Sequence, residues 1–345
     1  MAYRPRRTVP SRFQPVVRPP VPLPVATSIL APAALLRWAN DLLFGGPFTD
    51  CRLWRRGMND TYLLQAGERR SLVRVYRAGW RSDADIGYEL DLLRWLARAG
   101  IAVAQPLTAR DGDAVHHMAA PEGVRPAVHF AFAPGTVPPF DAATTTRVGA
   151  ALAALHQATA GFHSAFPRFR LDLDTLLWSP LTTTTHALGH RPADCAWLTE
   201  LATTLAERLA TIAPQLAQGP LHGDVYPGNV HCTPEGALTW FDFDLCGEGW
   251  YAYDLAAFRM NLRVGRWTDP DIWPAFLGAY EERRTLRPVE RAALPLLGAV
   301  RDLWHLGHML GTVVAGGESW WLDEAYLDRR LDAMRMWAAG DLAVP

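Results

Sequence analysis

Five side chains within LHGDVYPGNVHCTPEGALTWFDFDLC, Leu221 to Cys246, have types and spacing suited to chemistry: His222, Asp224, Asn229, Asp242 and Asp244. Asp224 follows a short apolar run. Asn229 lies five residues on, across a loop marked by Gly223, Pro227 and Gly228. VHCTPEGALTWF then reads as strand, Pro-Glu-Gly turn and strand. Such a hairpin returns Asp242 to the loop that carries Asp224 and Asn229. A carboxylate, an amide and a second carboxylate then converge. Magnesium prefers a few protein oxygens together with phosphate oxygens, and Asn229 and Asp242 can supply the former. That leaves Asp224 to orient a substrate hydroxyl and take its proton. Taken singly, an Asp or Asn beside Gly and Pro is turn chemistry. His222 reads as a hydrogen-bonding residue of the loop, and Asp244 as a turn cap. The spacing of the whole set carries the functional signal.

The elements that must hold this set divide by type. SILAPAALLRWANDLLF is helical, with Pro32 near its start. CRLWRRGMNDTYLLQAGERRSLVRVYR alternates strand and turn, with Gly57, Asn59 and Asp60 in one turn and Gly67 in the next. It predicts an antiparallel meander. SDADIGYELDLLRWLARAG is a helix capped by Ser82 and ended by Gly100. VAQPL, AVHHM and AVHFAF read as further strands, the last an edge strand running into a linker at Pro134 and Gly135. From Phe140 onward the chain is mainly helical, and LTTTTHALGH reads as a biased loop. The fold class is therefore α+β, with a sheet-rich first third and a helical remainder. Three units follow: a Pro/Arg-rich flexible arm over 1–26, a first lobe over 27–133 and a second over 134–345.

The helix and the third strand contribute one more pair. Ile86, Leu90, Leu93 and Ala97 recur at helical spacing, and Glu89 lies on their side. A carboxylate there is costly unless a cation reaches it. The strand SLVRVYR alternates Leu72, Arg74 and Tyr76 on one face with Val73 and Val75 on the other. Arg74 is thus the expected partner of Glu89.

Composition limits the function classes. The net charge is -1, so no nucleic-acid partner is expected. No run approaches the length of a membrane span, and the N-terminal arm lacks the apolar core of a signal peptide. Cys51, Cys195, Cys232 and Cys246 show no C-x-x-C pairing and read as buried thiols of a cytoplasmic protein. His305 and His308 share a helix face but lack a third metal ligand. All 34 Lys+Arg residues are arginine, so any phosphate must be held without lysine.

LHGDVYPGNV, with WFDFDLCGEGWYAYDLA, resembles the aminoglycoside phosphotransferase and choline kinase superfamily. RRGMNDTYLL, SLVRVYRAGWRS and YELDLLRWLARAGIAVAQPL are similar to the first lobe of its homoserine kinase type II and stress-response kinase A subgroup. The resemblance runs from about Leu30 to the C-terminus. It implies a bilobal protein-kinase-like fold with ATP and Mg2+ between the lobes. By position, Asp224 resembles the catalytic base, and Asn229 and Asp242 the metal ligands. Arg74 takes the place of the phosphate-contacting lysine, paired to Glu89, and Asn59 shapes the turn over the phosphates. The Ala131 carbonyl and Ala133 N–H correspond to the adenine contacts, since Pro134 cannot donate. The acceptor is then a hydroxyl of a small molecule or, as in stress-response kinase A, of a protein. A nucleotide-binding pseudokinase is the alternative, supported by Arg74 alone. Aminoglycosides are polycations, and the scattered Glu281, Glu282, Asp323 and Glu324 form no dense acidic run. The subgroup often has His at Tyr226, and no glycine-rich G-x-G-x-x-G loop occurs near Gly57.

Overall fold

The computed structural model describes residues 23–43, 46–265, 267, 269–316 and 322–341. The arm expected over 1–26 lies outside the described residues up to position 22.

Helix α1 (Pro32–Leu42) starts on proline, where no helical N–H is needed. Strands β1 (Asp50–Arg56), β2 (Asp60–Ala66) and β3 (Arg69–Val75) form the antiparallel meander. Helix α2 (Asp83–Arg98) opens on a capping box: Ser82 Oγ accepts from the Asp85 N–H at 3.1 Å, and the Asp85 carboxylate accepts from the Ser82 N–H at 3.0 Å. Strands β4 (Val115–Ala120) and β5 (Gly123–Ala131) complete a five-stranded sheet of order β1-β2-β3-β5-β4.

Two expectations fail here. β5 is not an edge strand, because the β4–β5 hairpin folds back and places β4 outside it. VAQPL forms only isolated bridges, Val103 to Trp240 and Pro106 to Phe130. Proline offers no N–H to continue a ladder. Its neighbours still serve β5 beyond the reach of β4: the Ala131 N–H donates to Gln105 O at 2.9 Å and the Leu107 N–H to His129 O at 2.8 Å.

The alternation along β3 gives the sheet two different faces. Val73 and Val75 pack with Leu35 and Ala39 of α1. Leu72 and Tyr76 pack with Phe130 and the α2 leucines, in the larger core that continues into the second lobe.

That lobe contains α3 (Ala142–Ala158), the short β6 (Arg170–Leu171), α4 (Ser179–Ala187) and α5 (Pro192–Ile212). Next come β7 (Gln218–Leu221) and the hairpin of β8 (Val230–Cys232) and β9 (Leu238–Trp240). β10 (Gly247–Trp250) pairs antiparallel with β7 and parallel with β6. α6 (Tyr251–Val264), α7 (Ile272–Glu281), α8 (Pro288–Gly316) and α9 (Glu324–Asp341) follow.

LTTTTHALGH corrects another expectation, since its first part belongs to α4. Each threonine hydroxyl donates to the carbonyl four residues back, from Thr182 Oγ1 to Trp178 O at 3.0 Å through Thr185 Oγ1 to Leu181 O at 2.9 Å. These bonds give each hydroxyl a partner inside the helix but do not themselves favour it. Packing does. A Cβ on Gly307 of α8 would sit 2.5 Å from the Pro180 carbonyl, so glycine lets α8 lie against α4. Of the cysteines, Cys51 and Cys246 are buried, but Cys195 and Cys232 are only partly so.

Candidate active site

β7 delivers the chain to a sharp bend at Gly223. Its φ is 81°, and a Cβ there would lie 2.1 Å from the Leu245 carbonyl, so only glycine fits. The bend is held from behind. The buried Asp254 of α6 accepts the N–H groups of His222 and Gly223, each at 2.9 Å, and also meets His156 Nε2 at 3.1 Å. His222 ties the loop to the hairpin: Nε2 donates to Phe241 O at 3.1 Å, while Nδ1 accepts from the Asp224 N–H at 3.3 Å. Both ring nitrogens are thereby used within the fold.

Asp224 is then clasped on both oxygens. Asn229 Nδ2 donates to Oδ2 at 3.0 Å, and Arg301 Nη2 pairs with Oδ1. Arg301 also donates to Gly223 O at 3.1 Å. Burial opposes its charge, but Tyr253 and Asp224 prevail and raise its pKa. Because Asn229 donates only through its amide nitrogen, its side-chain oxygen is left for a cation.

Asp242 ends the β8–β9 hairpin. It is the only non-glycine residue with positive φ among the described residues, at φ 66° and ψ 57°. A side chain held in that region signals a constraint that the surrounding fold enforces. Arg74 Nη2 donates to Asp242 Oδ1 at 3.0 Å, and Arg74 Nη1 to Glu89 Oε1 at 2.7 Å. Tyr76 Oη donates to the other Glu89 oxygen at 3.0 Å. Burial works against the charge on Arg74, yet Glu89, Tyr76 and Asp242 hold its pKa well above the ordinary arginine value. The same burial, with Glu89 beside it, pushes the Tyr76 hydroxyl far up, so it stays a donor.

Asp244 does not cap a turn through its side chain. Its carboxylate accepts from Arg81 Nε and Trp80 Nε1, both at 3.0 Å, which ties the segment after β3 to the second lobe. Burial raises its pKa, but Arg81 and Arg74 outweigh that and lower it.

Asn59, Arg74, Asp224 and Asp242 line one cavity of about 560 Å³ between the lobes. Glu89 and Asn229 stand behind it, touching Arg74 and Asp224. Asn59 Oδ1 accepts from the Arg77 N–H at 3.4 Å and so braces the β1–β2 turn. Ala131 and Ala133 lie outside this lining, where β5 leaves the sheet, and the Ala133 carbonyl accepts from His231 Nδ1 at 2.8 Å. His305 and His308 lie along the cavity wall. No group of three or more His, Cys, Asp or Glu side chains is placed to hold a metal among the described residues.

Sequence reasoning missed Arg301 and Asp254. Each is a charged residue in an apolar helical stretch, GAVRDLWHL and YAYDLAAF, where burial demands a counterpart. That signal was available, although the identity of the counterpart was not.

A small antiparallel lobe over a helical lobe, with the aspartates and asparagine of a hairpin loop facing an Arg–Glu pair across the cleft, defines a protein-kinase-like phosphotransferase. The chain belongs to the phosphotransferase enzyme family, whose model matches residues 52–293. It is 39% identical over 297 residues to an uncharacterized protein of Deinococcus radiodurans, covering 85% of this chain and 86% of that one. It is 30% identical over 255 residues to a homoserine kinase of Caulobacter vibrioides, covering 69% and 74%. Among solved structures, a microcompartment-associated aminopropanol kinase superposes with TM-score 0.70 at 25% identity, over 90% of this chain and 96% of that one. The amicoumacin kinase hAmiN, solved with AMP-PNP, Ca2+ and amicoumacin, shares the fold with TM-score 0.68 at 20% identity, over 91% and 93%. No helix among the described residues is long and apolar enough to cross a membrane.

Proposed function

We propose that this protein transfers the γ-phosphate of magnesium-ATP to the hydroxyl of a small molecule, with Asp224 as the base. The observation that carries this reading is the convergence of Asp224 and Asp242 on one cavity wall, with Asn229 bonded to Asp224 from behind and Arg74 reaching Asp242 from the other lobe.

The residues fit the metal. The Asn229 amide oxygen and the second Asp242 oxygen are unused by these hydrogen bonds, and a hard cation takes such oxygens. When bound, magnesium neutralises charge on the transferring phosphates. Arg74 holds phosphate oxygens with its fork of donors while Glu89 fixes the guanidinium. The β1–β2 turn, braced by Asn59, covers the phosphates. The Ala131 carbonyl and Ala133 N–H receive the adenine, and the lobe boundary falls at 133/134. Asp224 would accept the acceptor's hydroxyl proton as that oxygen bonds the γ-phosphorus and the bond from the γ-phosphorus to the β–γ bridging oxygen breaks, releasing ADP; Arg301 and Asn229 hold the Asp224 carboxylate in place.

The test is ADP formation from ATP with a panel of small hydroxyl compounds, run with and without magnesium. Magnesium-dependent turnover stimulated by an acceptor supports the reading. A protein that binds ATP but never forms ADP with any compound would instead be a pseudokinase.

A further inference from the structure

A second cavity of about 480 Å³ adjoins the first. The segment Arg77–Arg81, helix α4 and helix α8 enclose it, and Arg301, Trp304 and His308 line both spaces. Its wall is largely apolar. Among the described residues it carries three arginines, Arg77, Arg81 and Arg301, and no carboxylate. Two of the three are already matched: Arg81 pairs with Asp244 at 3.0 Å, and Arg301 with Asp224. Arg77 is different. It lines both cavities and is partly buried, yet its guanidinium has no ion pair or hydrogen bond among the described residues.

Burial disfavours the charge on Arg77 and lowers its pKa. Asp60 counters this, while Arg125 and Arg56 add to it. Asp60 is itself taken by Arg125 at 2.9 Å. The only other titratable group facing this space from α8, His308, is kept neutral at ordinary pH, since burial and then Arg301 push its pKa down to about 4. A cationic acceptor would therefore meet arginines and no free acid. An unmatched guanidinium at the mouth of an apolar cavity suits an oxyanion, which it can bind through two parallel hydrogen bonds.

We propose that the second cavity holds the phosphate acceptor, and that this acceptor bears an oxyanion, a carboxylate or a phosphate, which Arg77 binds while the hydroxyl reaches Asp224. The inference rests on the phosphotransferase reading and narrows its substrate class. The apolar body of the acceptor lies against Trp304 and α4, and the phosphates of ATP remain with Arg74 and the metal.

Matched probes test this by calorimetry on the full chain in the presence of magnesium and AMP-PNP. L-homoserine is compared with 3-amino-1-propanol, which lacks only the carboxylate. D-glycerate and glycerol 3-phosphate are each compared with glycerol. At least one oxyanion should bind more tightly than its matched partner; the homoserine or glycerate arm identifies a carboxylate, the glycerol 3-phosphate arm a phosphate. Arg77→Gln should weaken that binding about ten- to hundredfold, the range for losing a charged hydrogen-bonded contact. Nucleotide affinity should stay within about twofold, as only the oxyanion contact is removed. The inference is overturned if the matched partners bind equally well, if Arg77→Gln changes nothing, or if it weakens AMP-PNP instead. Magnesium-AMP-PNP binding with no oxyanion binding also overturns it and leaves the phosphotransferase reading intact. Failure of the wild-type chain to bind magnesium-AMP-PNP would contradict the phosphotransferase reading itself.

Discussion

Arg74 donates to Glu89 at 2.7 Å and, through its other terminal nitrogen, to Asp242 at 3.0 Å, so one guanidinium joins α2 of the first lobe to the hairpin end of the second. Glu89 is almost fully buried, and without this cation its charge would be stranded. Lysine has one nitrogen where arginine has a fork, and it can keep only part of this geometry. Arg74→Ala should therefore raise the ATP Michaelis constant and lower turnover, while Arg74→Lys keeps substantial activity. Steady-state kinetics decide this, and a silent Arg74→Ala would move the phosphate anchor elsewhere.

Arg301 makes a separate prediction. Arg301→Met removes the cation that clasps Asp224 and supports the Gly223 carbonyl. Stripping one partner from a buried pair costs roughly 3 kcal/mol or more. Asp224 keeps partial contact with solvent, so a loss of about 2 kcal/mol is expected. Denaturant unfolding should show it, together with reduced turnover because the proposed base is no longer fixed. Unchanged turnover would mean that Arg301 does not position Asp224.

Much of this site was legible in the sequence, and the reasons are physical. Asp224, Asn229 and Asp242 are close along the chain, and a hairpin closes the distance between them. Arg74 and Glu89 followed from strand and helix periodicity, since each side chain's face is set by local geometry. Arg301 lies far along the chain from Asp224, and no local pattern links them. The place of β5 inside the sheet depended on where β4 folded, which is again a non-local choice. The threonine run misled because weak helix propensity was overridden by packing of α4 on α8.

Acid should destabilise the protein before its carboxylates titrate. Burial pushes the pKa of His129 down to about 4, that of His305 to about 3 and that of His308 to about 4. Above about 6.5 these groups are neutral in both folded and unfolded chains and have no effect. As pH falls below 6.5, the unfolded chain binds protons that the folded one refuses. Stability then falls by about 1.4 kcal/mol per pH unit for each such group until its folded pKa is reached. Both ring nitrogens of His129 lack a partner. His129→Leu should reduce the loss between pH 6.5 and pH 4 with little change at pH 7, as measured by urea unfolding across that range. An identical pH profile would show that His129 is not kept neutral by the fold.

Asp242→Ala should weaken magnesium-nucleotide binding with the fold intact, because it removes the oxygen proposed for the metal and only one partner of Arg74. Titration of AMP-PNP at fixed and varied magnesium would show it. A magnesium dependence equal to the wild type would remove Asp242 from the metal site.

The most direct test of the whole account is the turnover of Asp224→Asn once an acceptor is in hand. The amide keeps the shape of the side chain but cannot take a proton. Circular dichroism and magnesium-ATP binding should match the wild type, while phosphotransfer falls on the order of 10²-fold or more. Phosphotransfer near the wild-type rate in that variant would contradict the assignment of Asp224 as the base, and with it the mechanism built on this loop.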